Sequence, residues 1–298
     1  MNKADRRRAD TLHERAGELD DDAQALAMYR QALEIDPRRA DTHYNMGLIY
    51  KYQGRWQESF DHNRQAVALD PNDEASNWNL AIAATALRDW RTAREVWNRL
   101  GLAIRKGEAP IEDDFGITPV RLDPDDRGEV VWARRIDPVR ARIENVPLPE
   151  SGFRRGDVVL HDGAAVGHRV SGGKSYPVFN VLALFEAGPY ATWLAEVSAD
   201  GVADVKALCD ALDAAGAAAE DWTTNVRTLC KQCSEGTPHD VHDRRLVAEP
   251  DGRYRLGIAP ADVAAAKKAL HAWDAGRGRV LGFDCVVPVP AKAHGAGA

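Results

Sequence analysis

Two phrases in the first third of the chain are one phrase written twice, 34 residues apart: ALEIDPRRADTHY and AVALDPNDEASNW. Pro37 and Pro71, Trp56 and Trp90, and Asn45 and Asn79 keep that spacing, and Ala32, Ala66 and Leu100 carry it through a third register. A fixed period of this length constrains the fold more than composition can. Each unit is a helical hairpin that cannot bury its own apolar face, so about three must stack before a core closes. Small residues let the helices approach, and a proline after each second helix stops it.

The residues resemble the tetratricopeptide repeat. In residues 40–73, Met46-Gly47, Tyr50, Gly54, Ala66 and Pro71 fall at the family's places, and Ser59 stands where a small residue between the helices is expected. Residues 74–100 repeat the pattern with Leu80-Ala81, Ala84, Ala93, Trp97 and Leu100. Residues 6–37 match mainly in the second helix, through Ala25, Tyr29, Ala32 and Pro37. The resemblance spans residues 6–100 and implies an all-α solenoid with a groove lined by first helices. Tyr44, Leu48, Lys51 and Tyr52 would face it from one hairpin, and Trp78, Ile82 and Thr85 from the next. The implied partner is another protein or a peptide. Some members hold a peptide's terminal carboxylate in a clamp of cationic and amide residues. Asn45 and Asn79 fit part of that pattern, but Asp10 and Glu14 stand where such residues are needed, which argues against a clamp of that kind.

Charge marks where the repeats end. Residues 1–107 carry 17 basic and 17 acidic side chains, whereas residues 108–126 hold seven acids against Arg121, most of the net charge of −7. The stretch 108–126 therefore reads as a solvated acidic linker. Beyond it the apolar period changes from 3.6 to 2. EVVWARRI, RARIEN and DVVLHD read as short strands of a small bent sheet or barrel over residues 127–187, with PLPESGFRRG and DGAAVG as turns. The phrase from Gly128 to Val159 weakly resembles small bacterial β modules, and that likeness implies no activity. Residues 188–290 then repeat a strand–helix–strand theme. TWLAEV, DGVADVKALCDALDAAG and AAAEDW answer to YRLGI, PADVAAAKKALHAWDAG and RVLGFDCVV. Asp200 is the expected N-cap of the first helix and Gly216 its C-cap. Two such halves predict a ferredoxin-like sandwich, a fold that hosts too many functions to name one. Residues 291–298 read as a disordered tail.

LCKQCSEGTPHDVHD connects the two halves. Two residues separate Cys230 from Cys233, and His239 and His242 follow with the same gap. Two thiolates and two imidazoles suit a tetrahedral Zn²⁺ of the structural kind. Five residues between the pairs is short for such a site, and roughly a dozen is usual. A redox pair is a second reading, although Ser-Glu-Gly-Thr-Pro after Cys233 does not continue a helix that would lower a thiol pKa. A plain polar loop is the third. Cys209 and Cys285 sit on apolar faces and read as small hydrophobes.

No phosphate loop or nucleophile elbow is present. Gly172-Gly173-Lys174-Ser175 lacks the spacing and the following helix of a phosphate loop and reads as a hairpin turn. His161 and Asp162 read as the end of a strand and the start of a turn. No catalytic residue is assigned. No apolar run approaches the ~20 residues that span a bilayer, no basic stripe supports nucleic-acid binding, and the N-terminus lacks the apolar core of a secretory signal. The sequence therefore predicts a cytoplasmic adaptor or regulatory protein that acts by binding another protein. Two other classes stay open: a metal-dependent enzyme using the Cys/His loop, and a toxin-neutralising, immunity-type inhibitor.

Overall fold

The structure, a computed structural model, describes residues 2–122, 128–223 and 252–290. It divides into two compact units, Met1–Glu112 and Asp113–Ala298. The tail 291–298 and the Cys/His connection lie outside the described residues.

The first unit is six helices in three hairpins: α1 (Lys3–Gly17), α2 (Asp22–Ile35), α3 (Ala40–Tyr52), α4 (Trp56–Leu69), α5 (Glu74–Ala86) and α6 (Trp90–Arg99). Asn2, Asp21, Asp73 and Asp89 cap α1, α2, α5 and α6, each carboxylate or amide oxygen accepting from a backbone N–H three residues on. Such caps satisfy donors that a helix leaves open at its start. Small residues set the spacing of the second hairpin. The Ser59 hydroxyl donates to the Gly47 carbonyl at 2.8 Å, and Asn63 Nδ2 donates back to the Ser59 carbonyl at 2.8 Å. A Cβ on Gly47 would lie 2.4 Å from Asn63 Nδ2, so only glycine fits there. The first two hairpins share a core of Ala16, Ala25, Leu26, Tyr29, Met46 and Tyr50. After α6 the chain is held by side chains of α6. Arg94 donates to the carbonyls of Arg105, Ala109 and Pro110, and Asn98 both donates to and accepts from Ile104.

The second unit begins with a closed barrel of β1 (Ile117–Arg121), β2 (Val130–Arg135), β3 (Arg140–Ile143), β4 (Val158–Ser171) and β5 (Lys174–Glu186) in chain order. β1 closes it by pairing parallel with β5 through Val120 and Arg121. Closure removes every sheet edge, and Val120, Leu122, Val131, Ala133, Ala141, Ile143, Val159 and Val181 fill the interior. β1 falls inside the stretch expected as a linker, so the barrel starts ten residues before residue 127. DGAAVG is not a turn but a bulged part of β4, where the register with β5 shifts around His161, Ala165 and Gly167. The turn of that long hairpin is Gly172-Gly173, both at positive φ (56° and 72°), as a two-residue hairpin connection demands.

The rest is β6 (Thr192–Ala199), α7 (Val202–Ala214), β7 (Ala217–Asp221), β8 (Arg253–Pro260), α8 (Val263–Asp274) and β9 (Gly278–Val287). The strand order β7-β8-β6-β9, antiparallel throughout, is the ferredoxin-like order. Val205, Leu208 and Leu212 of α7 and Ala266, Leu270 and Trp273 of α8 cover Ala195, Val197, Leu256 and Ile258 on one face of the sheet. Gly201, not Asp200, is the N-cap of α7, and no side chain caps it. Val202 consequently sits at the helix start, 54% exposed.

Barrel and sandwich are joined along one seam. Glu220 of β7 accepts from Asn145 Nδ2 at 2.7 Å and from the Val146 amide at 2.9 Å. Trp222 donates its indole N–H to the Val146 carbonyl at 3.1 Å. The same ring lies over Gly257, where a Cβ would come within 2.0 Å of it.

Candidate partner-binding surface of the repeats

The seven positions expected to face a groove are not equally presented. Tyr44, Leu48 and Trp78 are half-buried, and Tyr52 is 61% exposed at the end of α3. Lys51 is 3% exposed and Ile82 is 1% exposed, so neither offers a partner much surface. Thr85 is buried too, its hydroxyl turned back onto the Ala81 carbonyl at 2.8 Å. The reason lies in α5, where every residue from Asn79 to Thr85 is buried. A helix apolar on all sides belongs to an interior rather than to an open face.

Lys51 keeps its charge satisfied while buried. Its ammonium donates to Asn79 Oδ1 at 3.1 Å and lies 4.5 Å from the centre of the Tyr52 ring. The cation under an exposed aromatic face holds that ring in place. Asn79, one of the two asparagines of the clamp pattern, is thereby committed to Lys51. Asn45, the other, donates to the Tyr29 hydroxyl at 3.1 Å. Asp10, which breaks that pattern, accepts from Arg39 at 2.5 Å, and Arg39 also reaches Asp41 at 3.0 Å. These polar groups tie successive hairpins together.

Trp78 packs edge-on against the fully buried Trp97 of α6, ring centres 4.9 Å apart at 67°. This is the arrangement aromatic pairs prefer, and it contributes beyond area alone. Trp78→Ala is therefore expected to lower the stability of the repeat unit by about 2–3 kcal/mol. Urea unfolding followed by circular dichroism checks this. A change within a few tenths of a kcal/mol would assign the ring to a partner instead.

One pair escaped the sequence reading. His43 of α3 and His62 of α4 meet Nδ1 to Nδ1 at 3.0 Å. His43 Nε2 lies 3.3 Å from the Pro37 carbonyl, which can only accept, so the His43 proton sits on Nε2 and its Nδ1 accepts from His62. Burial, then the neighbouring His43, push the His62 imidazole down to about 4, and burial lowers His43 as well. The 19-residue separation of these histidines follows no repeat period, which is why the pattern did not reveal them.

Cys230, Cys233, His239 and His242 lie outside the described residues. Among the described residues, no three His, Cys, Asp or Glu side chains gather as metal ligands would. Cys209 packs against the sandwich core, and burial pushes its thiol up to about 12. Cys285 on β9 is exposed rather than covered as its apolar strand suggested.

Comparison with known families matches a TPR repeat to residues 18–54 and a tetratricopeptide repeat to residues 40–73. The hairpins of residues 18–73 are tetratricopeptide repeats. The matches overlap on α3, the helix that carries Tyr44, Leu48, Lys51 and Tyr52. A search among curated proteins gave no match.

Proposed function

We propose that this chain is a protein-interaction adaptor or regulator whose tetratricopeptide repeats carry the partner, with Tyr52 as the aromatic anchor. Repeats of this family suggest a protein–protein interaction role in general. The observation that supports Tyr52 in particular is its presentation: 61% exposed, with the Lys51 ammonium 4.5 Å from its ring centre. A large ring already held in place loses little freedom on binding, and such residues dominate interfaces. The partner would lay an apolar or aromatic side chain on Tyr52 and continue over Leu48 and Tyr44. A cytoplasmic location accords with this reading, and no helix among the described residues is long and apolar enough to cross a membrane.

Affinity capture from the native host with wild type and Tyr52→Ala tests it. The variant should lose about 2 kcal/mol of binding, roughly thirtyfold, at an unchanged melting temperature. Equal capture by both proteins would remove Tyr52 from the interface.

The set Cys230, Cys233, His239 and His242 supports, from its sequence alone, a structural zinc loop as part of the same proposal. Metal analysis of protein prepared without chelator should give about one equivalent of zinc, lost on Cys230→Ser and kept on Cys209→Ser. Wild-type protein free of transition metal would leave the loop a polar connection.

A further inference from the structure

A cleft of about 380 Å³ opens on the outside of the barrel, where the end of β3, the turn before β4 and the connection from β5 to β6 come together. Its scale suits a small ligand. Its floor is rigid. Gly188 lies so close to Gly156 that a Cβ on it would come within 2.4 Å of the Gly156 carbonyl carbon. The Tyr190 ring closes one side, 3.0 Å from where a Cβ on Gly156 would stand.

The charges around this cleft are incompletely paired. In register across three strands, Arg142 of β3 faces Val158 of β4, and Val158 faces Glu186 of β5. Two strand spacings separate the Arg142 and Glu186 backbones by about 10 Å, with the buried Val158 between them. Both side chains are exposed, and no hydrogen bond or ion pair joins either to a described residue. On its other flank Arg142 stands directly opposite Arg134 of β2. Like charges so placed repel, but Arg134 is neutralised by Glu144 at 2.9 Å and Asp114 at 3.2 Å. Glu144 is thus already committed, and its backbone carbonyl accepts from Arg155, which orients that second guanidinium at the cleft. Two guanidiniums and one carboxylate therefore line one cleft, and no ion pair among the described residues joins Glu186 to either guanidinium.

We infer that this cleft binds a small zwitterion, an α-amino acid in its simplest form, with its carboxylate on Arg142 and Arg155, its ammonium toward Glu186 and its side chain along Tyr190. A guanidinium pairs with a planar carboxylate through two parallel hydrogen bonds. A multiply charged phosphate would instead meet the unneutralised Glu186. The inference is independent of the repeats and of their partner.

Proton–nitrogen correlation spectra of the full chain, titrated separately with glycine, propionate and inorganic phosphate, test it. Glycine should shift the Arg155, Gly156 and Tyr190 amides saturably. Arg142→Gln should weaken it about tenfold or more, the loss of a charge-assisted contact. Glu186→Gln should weaken glycine but not propionate, which has no ammonium to lose. Both side chains are exposed, so the variants should keep the wild-type spectrum elsewhere. No saturation by about 50 mM glycine, far above the millimolar range of weak binding, would overturn the inference. So would unchanged affinity in Arg142→Gln, or phosphate binding more tightly than glycine.

Discussion

Asp157→Ala is expected to cost the second unit about 3–5 kcal/mol, the range for removing one partner of a buried ion pair. The carboxylate is fully buried and accepts three hydrogen bonds. Oδ1 accepts from Arg154 Nη2 at 3.0 Å and from the Gly188 amide at 2.6 Å, and Oδ2 accepts from the Arg154 amide at 2.8 Å. Arg154, also buried, sends its other nitrogen to the Pro288 carbonyl at 3.2 Å. One carboxylate so ties the start of β4 to the connection after β5 and, through Arg154, to the chain leaving β9. An intact buried pair adds little net stability, because desolvation offsets attraction. Its removal is costly for a different reason: an uncompensated guanidinium and two orphaned amides stay inside. Urea unfolding of wild type and variant measures the loss, and a difference under about 1 kcal/mol would show that water replaces the carboxylate. Because Gly156, Gly188 and Tyr190 line the zwitterion cleft, the variant should also blur their amide resonances.

The same residue shows what the sequence did and did not disclose. The phrase ENVPLPESGFRRGDVV stood out as a phrase, yet nothing in it named the seam it builds. Asn145 bonds across to Glu220, 75 residues on, and Asp157 to Gly188, 31 residues on. Side-chain bonds over such distances leave no local period. The repeats were legible because each hairpin meets its neighbour in the same way, so one spacing wrote their packing three times. The two strand–helix–strand halves were legible because Leu212 and Leu270 do the same work in α7 and α8. β1 was missed for a physical reason as well. It is five residues long, carries Pro119, and sits in an acidic stretch, so propensity argued against it. What makes it a strand is pairing with β2 and β5, the latter about 60 residues away. Among the candidate site residues, periodicity placed Tyr44 to Tyr52 on one helix correctly. It had no means to show that Ile82 and Lys51 would be buried while Tyr52 would not.

Acidification should destabilise the second unit between pH 6.5 and about 4 through His161. This side chain is 1% exposed inside β4 and stacks on Phe179 with ring centres 5.1 Å apart. Its Nδ1 lies 2.7 Å from the Asp162 carbonyl and donates to it, while Nε2 is buried with no partner among the described residues. A proton added there would find no acceptor among the described residues, at a side chain buried from solvent. Burial, working against the carboxylates of Asp137 and Asp162, drives the imidazole down to about 4. The unfolded chain takes up its proton near 6.5. Above that value both states are neutral and the native state keeps its full advantage. As pH falls from there, only the unfolded state gains a proton, so stability drops until the native imidazole titrates as well. The whole loss is about 3 kcal/mol by linkage. His62 in the repeats is also pushed down to about 4 and acts with the same sign in the first unit, so wild type alone does not separate them. His161→Gln does, because its amide can still donate to the Asp162 carbonyl but does not titrate. Urea unfolding free energies at pH 7.5 and pH 4.5 should fall less for the variant by about 2–3 kcal/mol, most of the His161 share. Equal losses in both proteins would mean that the native barrel accepts a charged imidazole, either by opening at the bulge around Asp162 or by admitting water to Nε2.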